Sequence, residues 1–113
     1  GNSNAAIEAY TNALNLSPTP ANRAANLYYN RGIEYANNGN IDAAIADYNE
    51  AIRLDPALAD AYFNRANLAA RRGDRSAAIK DYQTAERLYQ QQNNPQARQE
   101  AANAIRALQQ TNP

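Results

Sequence analysis

The hydrophobic residues of this chain recur at the spacing of an amphipathic helix. Between Ile41 and Leu54, apolar side chains recur three and four residues apart, which places them on one helix face. No stretch shows the alternation of β-branched and polar residues that predicts a strand. Turn-forming and capping residues divide the pattern into six predicted helices, over residues 4–16, 20–38, 41–54, 57–72, 75–92 and 95–110.

This helical pattern repeats along the chain with an offset of 34 residues. In that register, the identical pairs include Tyr28 and Tyr62, Asn30 and Asn64, Arg31 and Arg65, Gly39 and Gly73, Asp47 and Asp81, and Tyr48 and Tyr82. The sequence therefore predicts one domain over residues 1–113. It consists of the second helix of a truncated repeat at 4–16, complete repeats at 20–58 and 59–92, and a polar capping helix at 95–110.

Glycine and capping residues mark the turns between the predicted helices. Gly39 and Gly73 suit the left-handed position that follows a helix, where glycine is favoured. The next residues, Asn40 and Asp74, are of the types preferred at a helix N-cap. Asn94 is another preferred N-cap residue, and the proline that follows it suits the first position of a helix, so this pair predicts the start of the last helix.

These residues together resemble the tetratricopeptide repeat. The aromatic, small and turn positions of that family are filled in the first complete copy by Tyr28, Gly32, Tyr35, Gly39, Ala44, Tyr48, Ala51 and Pro56. In the second copy, Ala66, Ala69 and Gln90 replace the Gly, Tyr and Pro of the family. The resemblance implies an all-α fold, a right-handed α-solenoid of antiparallel helix pairs. It also suggests a fragment of a longer repeat protein, because the first copy lacks its first helix.

The resemblance further implies a scaffold for protein–protein interaction. In tetratricopeptide proteins the first helix of each pair lines a concave groove, where peptide segments of partner proteins bind. The matching positions are Asn26, Tyr29, Asn30, Ile33 and Asn37 in one repeat and Asp60, Phe63, Asn64, Asn67 and Arg71 in the next. An Asn amide can bond a peptide backbone of any sequence, and an aromatic ring can stack on a ligand side chain.

Other interpretations of the same residues remain open. Asn30 and Asn64 could bond neighbouring helices, and the aromatic rings at positions 29 and 63 could belong partly to the core. A second functional hypothesis is a structural module, in which the N-terminal edge joins copies of the chain into a homo-oligomer. The residues that would do so, because they lack an obvious partner on one side, are Ile7, Tyr10 and Leu14. A third is a regulatory, non-catalytic segment of a larger enzyme.

Composition narrows the classes of function. The 11 Lys and Arg residues balance the 11 Asp and Glu residues, which argues against non-specific nucleic-acid binding and a polybasic membrane anchor. No apolar run approaches the roughly 18 residues that cross a bilayer. Because His and Cys are absent, we expect no metal site, no cofactor and no enzymatic activity. A chain without Cys forms no disulfide, which fits a reducing compartment such as the cytoplasm. Asp47 and Asp81 recur in register and are interpreted as solvated or salt-bridged helix surface.

Overall fold

The computed structural model describes residues 2–16 and 19–110. Six helices contain most of these residues: α1 (Asn2–Asn15), α2 (Ala21–Asn37), α3 (Ile41–Leu54), α4 (Ala59–Arg71), α5 (Arg75–Gln91) and α6 (Pro95–Gln110). No strand occurs within the described ranges, so the predicted all-α class with six helices is confirmed. None of the described helices is both long and apolar enough to span a lipid bilayer.

The described residues form two compact units. The first unit ends at Pro56, and in it α2 packs against both α1 and α3. The second unit begins at Ala57, and in it α5 packs against both α4 and α6. Each unit is therefore a helical hairpin with one flanking helix.

A close approach of α2 and α3 forms the core of the first unit. Ala44 and Ala51 are fully buried, and Tyr48 is 2% exposed. A Cβ atom added at Gly32 would lie 2.7 Å from Cε1 of Tyr48 and 3.3 Å from the carbonyl oxygen of Ala44. Position 32 therefore requires glycine because the helices touch there, and the small residues of the repeat are the ones that permit this contact.

Two apolar clusters form the core of the second unit. The first contains Ala59, Ala85, Leu88, Tyr89 and Ala101, and the second contains Ala66, Ala78 and Tyr82. Helix α6 contributes to both, because Ala97 packs on the first cluster, and Ala104, Ile105 and Leu108 pack on the second. The apolar stripe of α6 is thus explained by the hairpin that it covers.

The turns between α2 and α3, α4 and α5, and α5 and α6 share one geometry. The second residue after each helix has a positive φ, which is 84° at Gly39, 84° at Gly73 and 58° at Asn93. The residue that follows caps the next helix, since its side chain accepts a hydrogen bond from a backbone N–H three positions on; these caps are Asn40, Asp74 and Asn94. The predicted left-handed glycines and caps are confirmed, and the third turn differs in using asparagine at the left-handed position.

Candidate functional site

An ion pair fixes α2 against α3 beside the candidate binding residues. Nε and Nη2 of Arg31 donate to the two carboxylate oxygens of Asp47, each over 2.7 Å. Nη1 also donates to Oγ1 of Thr11 on α1, and the guanidinium carbon lies 5.4 Å and 5.6 Å from the ring centres of Tyr28 and Tyr35. The hydrogen bonds with Asp47 raise the pKa of Arg31 above its ordinary value, although burial opposes them.

The second unit contains the same pair in the same register. Nε of Arg65 donates to Oδ2 of Asp81 over 2.7 Å, and Nη2 donates to Oδ1 over 2.9 Å. The guanidinium carbon lies 5.6 Å from the ring centre of Tyr62. The hydrogen bonds with Asp81 raise the pKa of Arg65 as well.

The expected position of these two carboxylates on the helix surface needs correction. Asp47 is buried, with 5% of its surface exposed, and Asp81 is half-buried. The expected salt bridges are present, but they lie between helices rather than on an outer face. Within the described ranges, no three acidic side chains are grouped so that they could hold a metal ion. Each carboxylate is a structural partner of arginine, because it accepts two hydrogen bonds from a guanidinium on the preceding helix.

The candidate residues of α2 lie on one helix face, which we call the α2 strip: Asn26, Tyr29, Asn30, Ile33 and Asn37. The residues at its two ends, Asn26 and Asn37, are exposed, and the three between them are half-buried. The ring of Tyr29 lies 5.9 Å from that of Tyr48 and is tilted by 40°. Part of the Tyr29 side chain thus packs against α3, and the rest is accessible to solvent.

The candidate residues of α4 form the matching α4 strip: Asp60, Phe63, Asn64, Asn67 and Arg71. Asp60 and Arg71 at its ends are exposed, and the other three are half-buried. The ring of Phe63 lies 5.3 Å from that of Tyr82 and 6.5 Å from that of Tyr89, edge to face in both cases. Phe63 therefore packs on the core of its unit with part of its ring.

Two tyrosine hydroxyls of α5 orient two of the four polar members of the α4 strip. The hydroxyl of Tyr82 donates to Oδ1 of Asn67, and that of Tyr89 donates to Oδ1 of Asp60. Because the oxygen of Asn67 accepts this bond, the amide nitrogen retains its two N–H donors. Burial raises the pKa of Tyr82 above its ordinary value of 10.0.

The sequence did not reveal these hydroxyl contacts, because they depend on the rotation of α5 about its axis. In the sequence, Tyr82 is apparent only as the repeat equivalent of Tyr48, and that match carries no information about the partner of its hydroxyl. The sequence signal that could indicate such a contact is a polar residue on the half-buried side of a neighbouring helix. Asn67 is one, and its position implies a hydrogen-bond partner.

Helix α1 carries the residues predicted for self-association, Ile7, Tyr10 and Leu14, all of which are half-buried. No residue of α1 is fully buried. By contrast, Ala44 and Tyr48 on α3 are buried. They match Ala6 and Tyr10 of the truncated copy at an offset of 38 residues, four more than the offset between the complete copies. One side of α1 is therefore covered less completely than the equivalent side of α3.

Comparisons with known proteins identify the repeat. A family model described as TPR repeat matches residues 32–73, and one described as tetratricopeptide repeat matches residues 59–92, so that together they span more than half of the chain. The search of curated proteins gave no match.

Solved structures similar to this chain include a crystal structure of MamA, with a TM-score of 0.67 and 23% identity over 96% of this chain. A second crystal structure, of MamA protein, has a TM-score of 0.67 and 25% identity over 94% of this chain. The present chain spans 67% and 62% of those two chains.

Proposed function

We propose that this chain, which belongs to the tetratricopeptide repeat family, binds extended peptide segments of a partner protein through the α2 strip of its first unit and the α4 strip of its second unit, each a binding surface of its own. The repeats of this family are generally non-catalytic modules, and the chain is a scaffold for protein–protein interaction. The observation that carries the finer proposal is that the first helix of each complete repeat presents aromatic and amide side chains in the same register.

The amides of the two strips supply the chemistry for binding a backbone. Asn30 and Asn64 occupy equivalent positions, 34 residues apart, and both are half-buried. A side chain that is only partly accessible has less rotamer freedom to lose when a ligand binds. Because an amide both donates and accepts, it can pair with the N–H and C=O groups of an extended peptide irrespective of the ligand's side chains.

Ion pairs next to the recurrent asparagines connect the helices that carry the two strips to the helices that follow them. Arg31 directly follows Asn30 in the chain, and Arg65 directly follows Asn64. Each arginine forms two charge-assisted hydrogen bonds with an aspartate on the next helix, which fixes the position of its own helix. A binding surface that is already ordered loses little entropy when a ligand binds.

The test is selection of peptides by the purified chain from a random peptide library, followed by titration of the selected peptides. Replacement of both recurrent asparagines, Asn30→Ala and Asn64→Ala, is expected to weaken binding roughly tenfold, since each lost hydrogen bond contributes about 0.5–1.5 kcal/mol. The matched control replaces two exposed asparagines on other helices, Asn12→Ala and Asn49→Ala. Equal weakening by both pairs, or unchanged binding by the first pair, would contradict the proposal.

We propose self-association through α1 as a second candidate function. The supporting observation is the partial exposure of Ile7, Tyr10 and Leu14 on a helix that has no buried residue. Light scattering over a range of concentrations tests this idea, with deletion of residues 4–16 expected to abolish any dimer. A clean monomer at high concentration would refute it.

A further inference from the structure

The two strips differ in charge although they match in position. The α2 strip carries no charged residue. The α4 strip ends in an acid and a base, because Asp60 stands where α2 has Asn26, and Arg71 stands where α2 has Asn37. Asp60 and Arg71 are also the most accessible members of the α4 strip, since both are exposed.

The distance between the two charged residues sets the spacing that two oppositely charged residues of a bound peptide would need. Asp60 and Arg71 are 11 residues apart on one helix. At a rise of 1.5 Å per residue, their backbone positions are about 16 Å apart along the axis. An extended peptide advances about 3.3 Å per residue, so about five of its residues span that distance.

The surroundings of the two charged groups differ. The carboxylate of Asp60 accepts a hydrogen bond from the buried Tyr89, which restricts its rotation. The guanidinium of Arg71 has no ion-pair or hydrogen-bond partner among the described residues and is available to an acidic ligand group. Between them lie the aromatic ring of Phe63 and the amide nitrogen of Asn67, whose oxygen is engaged by Tyr82.

From this arrangement we propose that the α4 strip selects extended peptides that carry one basic and one acidic residue about five positions apart. The basic side chain pairs with Asp60, the acidic side chain pairs with Arg71, and the amide of Asn67 donates to a carbonyl group of the intervening backbone. This inference rests on the proposed peptide-binding function and adds the charge pattern of the partner segment. A nucleic acid does not fit the strip, because one acid and one base give it no net positive charge to attract phosphates.

The experiment is a selection from a displayed library of random peptides of about 12 residues, which are long enough to span the strip. The unmodified chain and the variant Asp60→Asn/Arg71→Gln are used in parallel. Asp60→Asn retains an oxygen that can accept from Tyr89, and the double variant preserves the net charge. The matched control, Glu100→Gln/Arg106→Gln, removes an exposed acid and an exposed base from α6.

The unmodified chain and the control are expected to enrich peptides with oppositely charged residues about five positions apart, and the double variant is expected to lose that enrichment. In titrations of one such peptide, each single substitution should weaken binding about two- to fivefold, and the effect should shrink at high salt. A variant with Arg71→Glu should recover binding when the acidic residue of the peptide is replaced by lysine.

Two outcomes would overturn the inference, and they can be told apart. Selected peptides without the charge spacing, or with the same spacing in the double variant, would refute the charge pattern and leave peptide binding intact. Failure to select any peptide would refute the proposed function itself and this inference with it. Circular dichroism of each variant, compared with the unmodified chain, establishes that the helices are retained.

Discussion

Arg31 and Asp47 form a two-bond ion pair between α2 and α3, with 2.7 Å from donor to acceptor in both bonds. The side chain of Arg31 is 17% exposed and that of Asp47 is 7% exposed. The equivalent pair in the second unit, Arg65 and Asp81, is more accessible, at 27% and 13%. The same interaction thus recurs with different degrees of burial.

The ion pairs predict a graded loss of stability. Asp47→Ala should lower the free energy of unfolding by about 3 kcal/mol, because it leaves Arg31 poorly accessible to water and without its carboxylate. Asp81→Ala should cost less, since Arg65 is better solvated than Arg31. Urea denaturation measures both.

A matched control is available in the exposed pair of Glu50 and Arg53 on α3. Glu50→Ala should change stability by less than about 1 kcal/mol, as is usual for surface pairs. An equal loss for Asp47→Ala and Glu50→Ala would show that burial does not strengthen the inter-helix pair.

We expect Gly32→Ala to destabilise the fold, because the added methyl group would collide with α3. The added Cβ of Gly32→Ala would lie 2.7 Å from a ring carbon of the buried Tyr48. The resulting strain, about 1–3 kcal/mol, should exceed the gain of about 1 kcal/mol in helix propensity and give net destabilisation.

The second unit provides the control for this substitution. Ala66 occupies the position that corresponds to Gly32 and is fully buried. Ala66→Gly should destabilise the chain by about 1 kcal/mol or slightly more, because helix propensity and packing are both lost. A rise in melting temperature for Gly32→Ala would mean that α2 and α3 can separate at little cost.

The turns could be predicted from the sequence because they depend on neighbouring residues, whereas the contacts between helices could not. Gly39 and Asn40 indicate a left-handed residue and a cap from the sequence alone, since both preferences arise within a few residues of chain. Arg31 and Asp47 are 16 residues apart, and their pairing depends on how two helices pack. Charged residues are ordinarily exposed, so the general rule put Asp47 on the surface. The recurrence of both residues in register is the sequence signal that favours a paired position over a solvated one.

The sequence predicted which residues share a face of α2 or α4, but it did not predict which side chains of neighbouring helices contact them. The membership of the α4 strip was implied by the resemblance to the tetratricopeptide repeat, and helical spacing requires that its members share one face. The hydrogen bonds that Tyr82 and Tyr89 donate to the strip depend on the side-chain positions of α5. These contacts decide which groups of Asp60 and Asn67 remain for a ligand, and sequence spacing carries no such information.

The positive φ of Asn93 predicts a stabilising substitution. Its φ of 58° lies in the left-handed region, whereas the corresponding turns use glycine at 84°. Asn93→Gly should raise the free energy of unfolding by a few tenths of a kcal/mol up to about 1 kcal/mol, because asparagine tolerates this conformation less well than glycine.

The reciprocal substitution is Gly39→Ala. A Cβ atom there would meet nothing within 4 Å, so any destabilisation must come from the backbone conformation. A loss of about 1 kcal/mol is expected. Thermal denaturation monitored by circular dichroism measures both variants, and a loss of stability for Asn93→Gly would show that the asparagine side chain contributes more than the strain costs.

The buried hydroxyl of Tyr82 predicts a loss of stability at alkaline pH. Burial raises its pKa in the folded chain above the ordinary value of 10.0. Above pH 10 the unfolded chain therefore releases this proton more readily than the folded chain, and the free energy of unfolding falls as pH rises from the unfolded pKa to the folded one. Below pH 10 the contribution is fully present.

The variant Tyr82→Phe separates this group from the other tyrosines. It should be less stable at neutral pH by about 1 kcal/mol, because the hydrogen bond to Asn67 is lost. It should also lose less stability than the unmodified chain between pH 9 and pH 11, since one shifted group has been removed. Urea denaturation at several pH values measures the two slopes, and parallel slopes for the two proteins would show that Tyr82 ionises in the folded chain as easily as in the unfolded one.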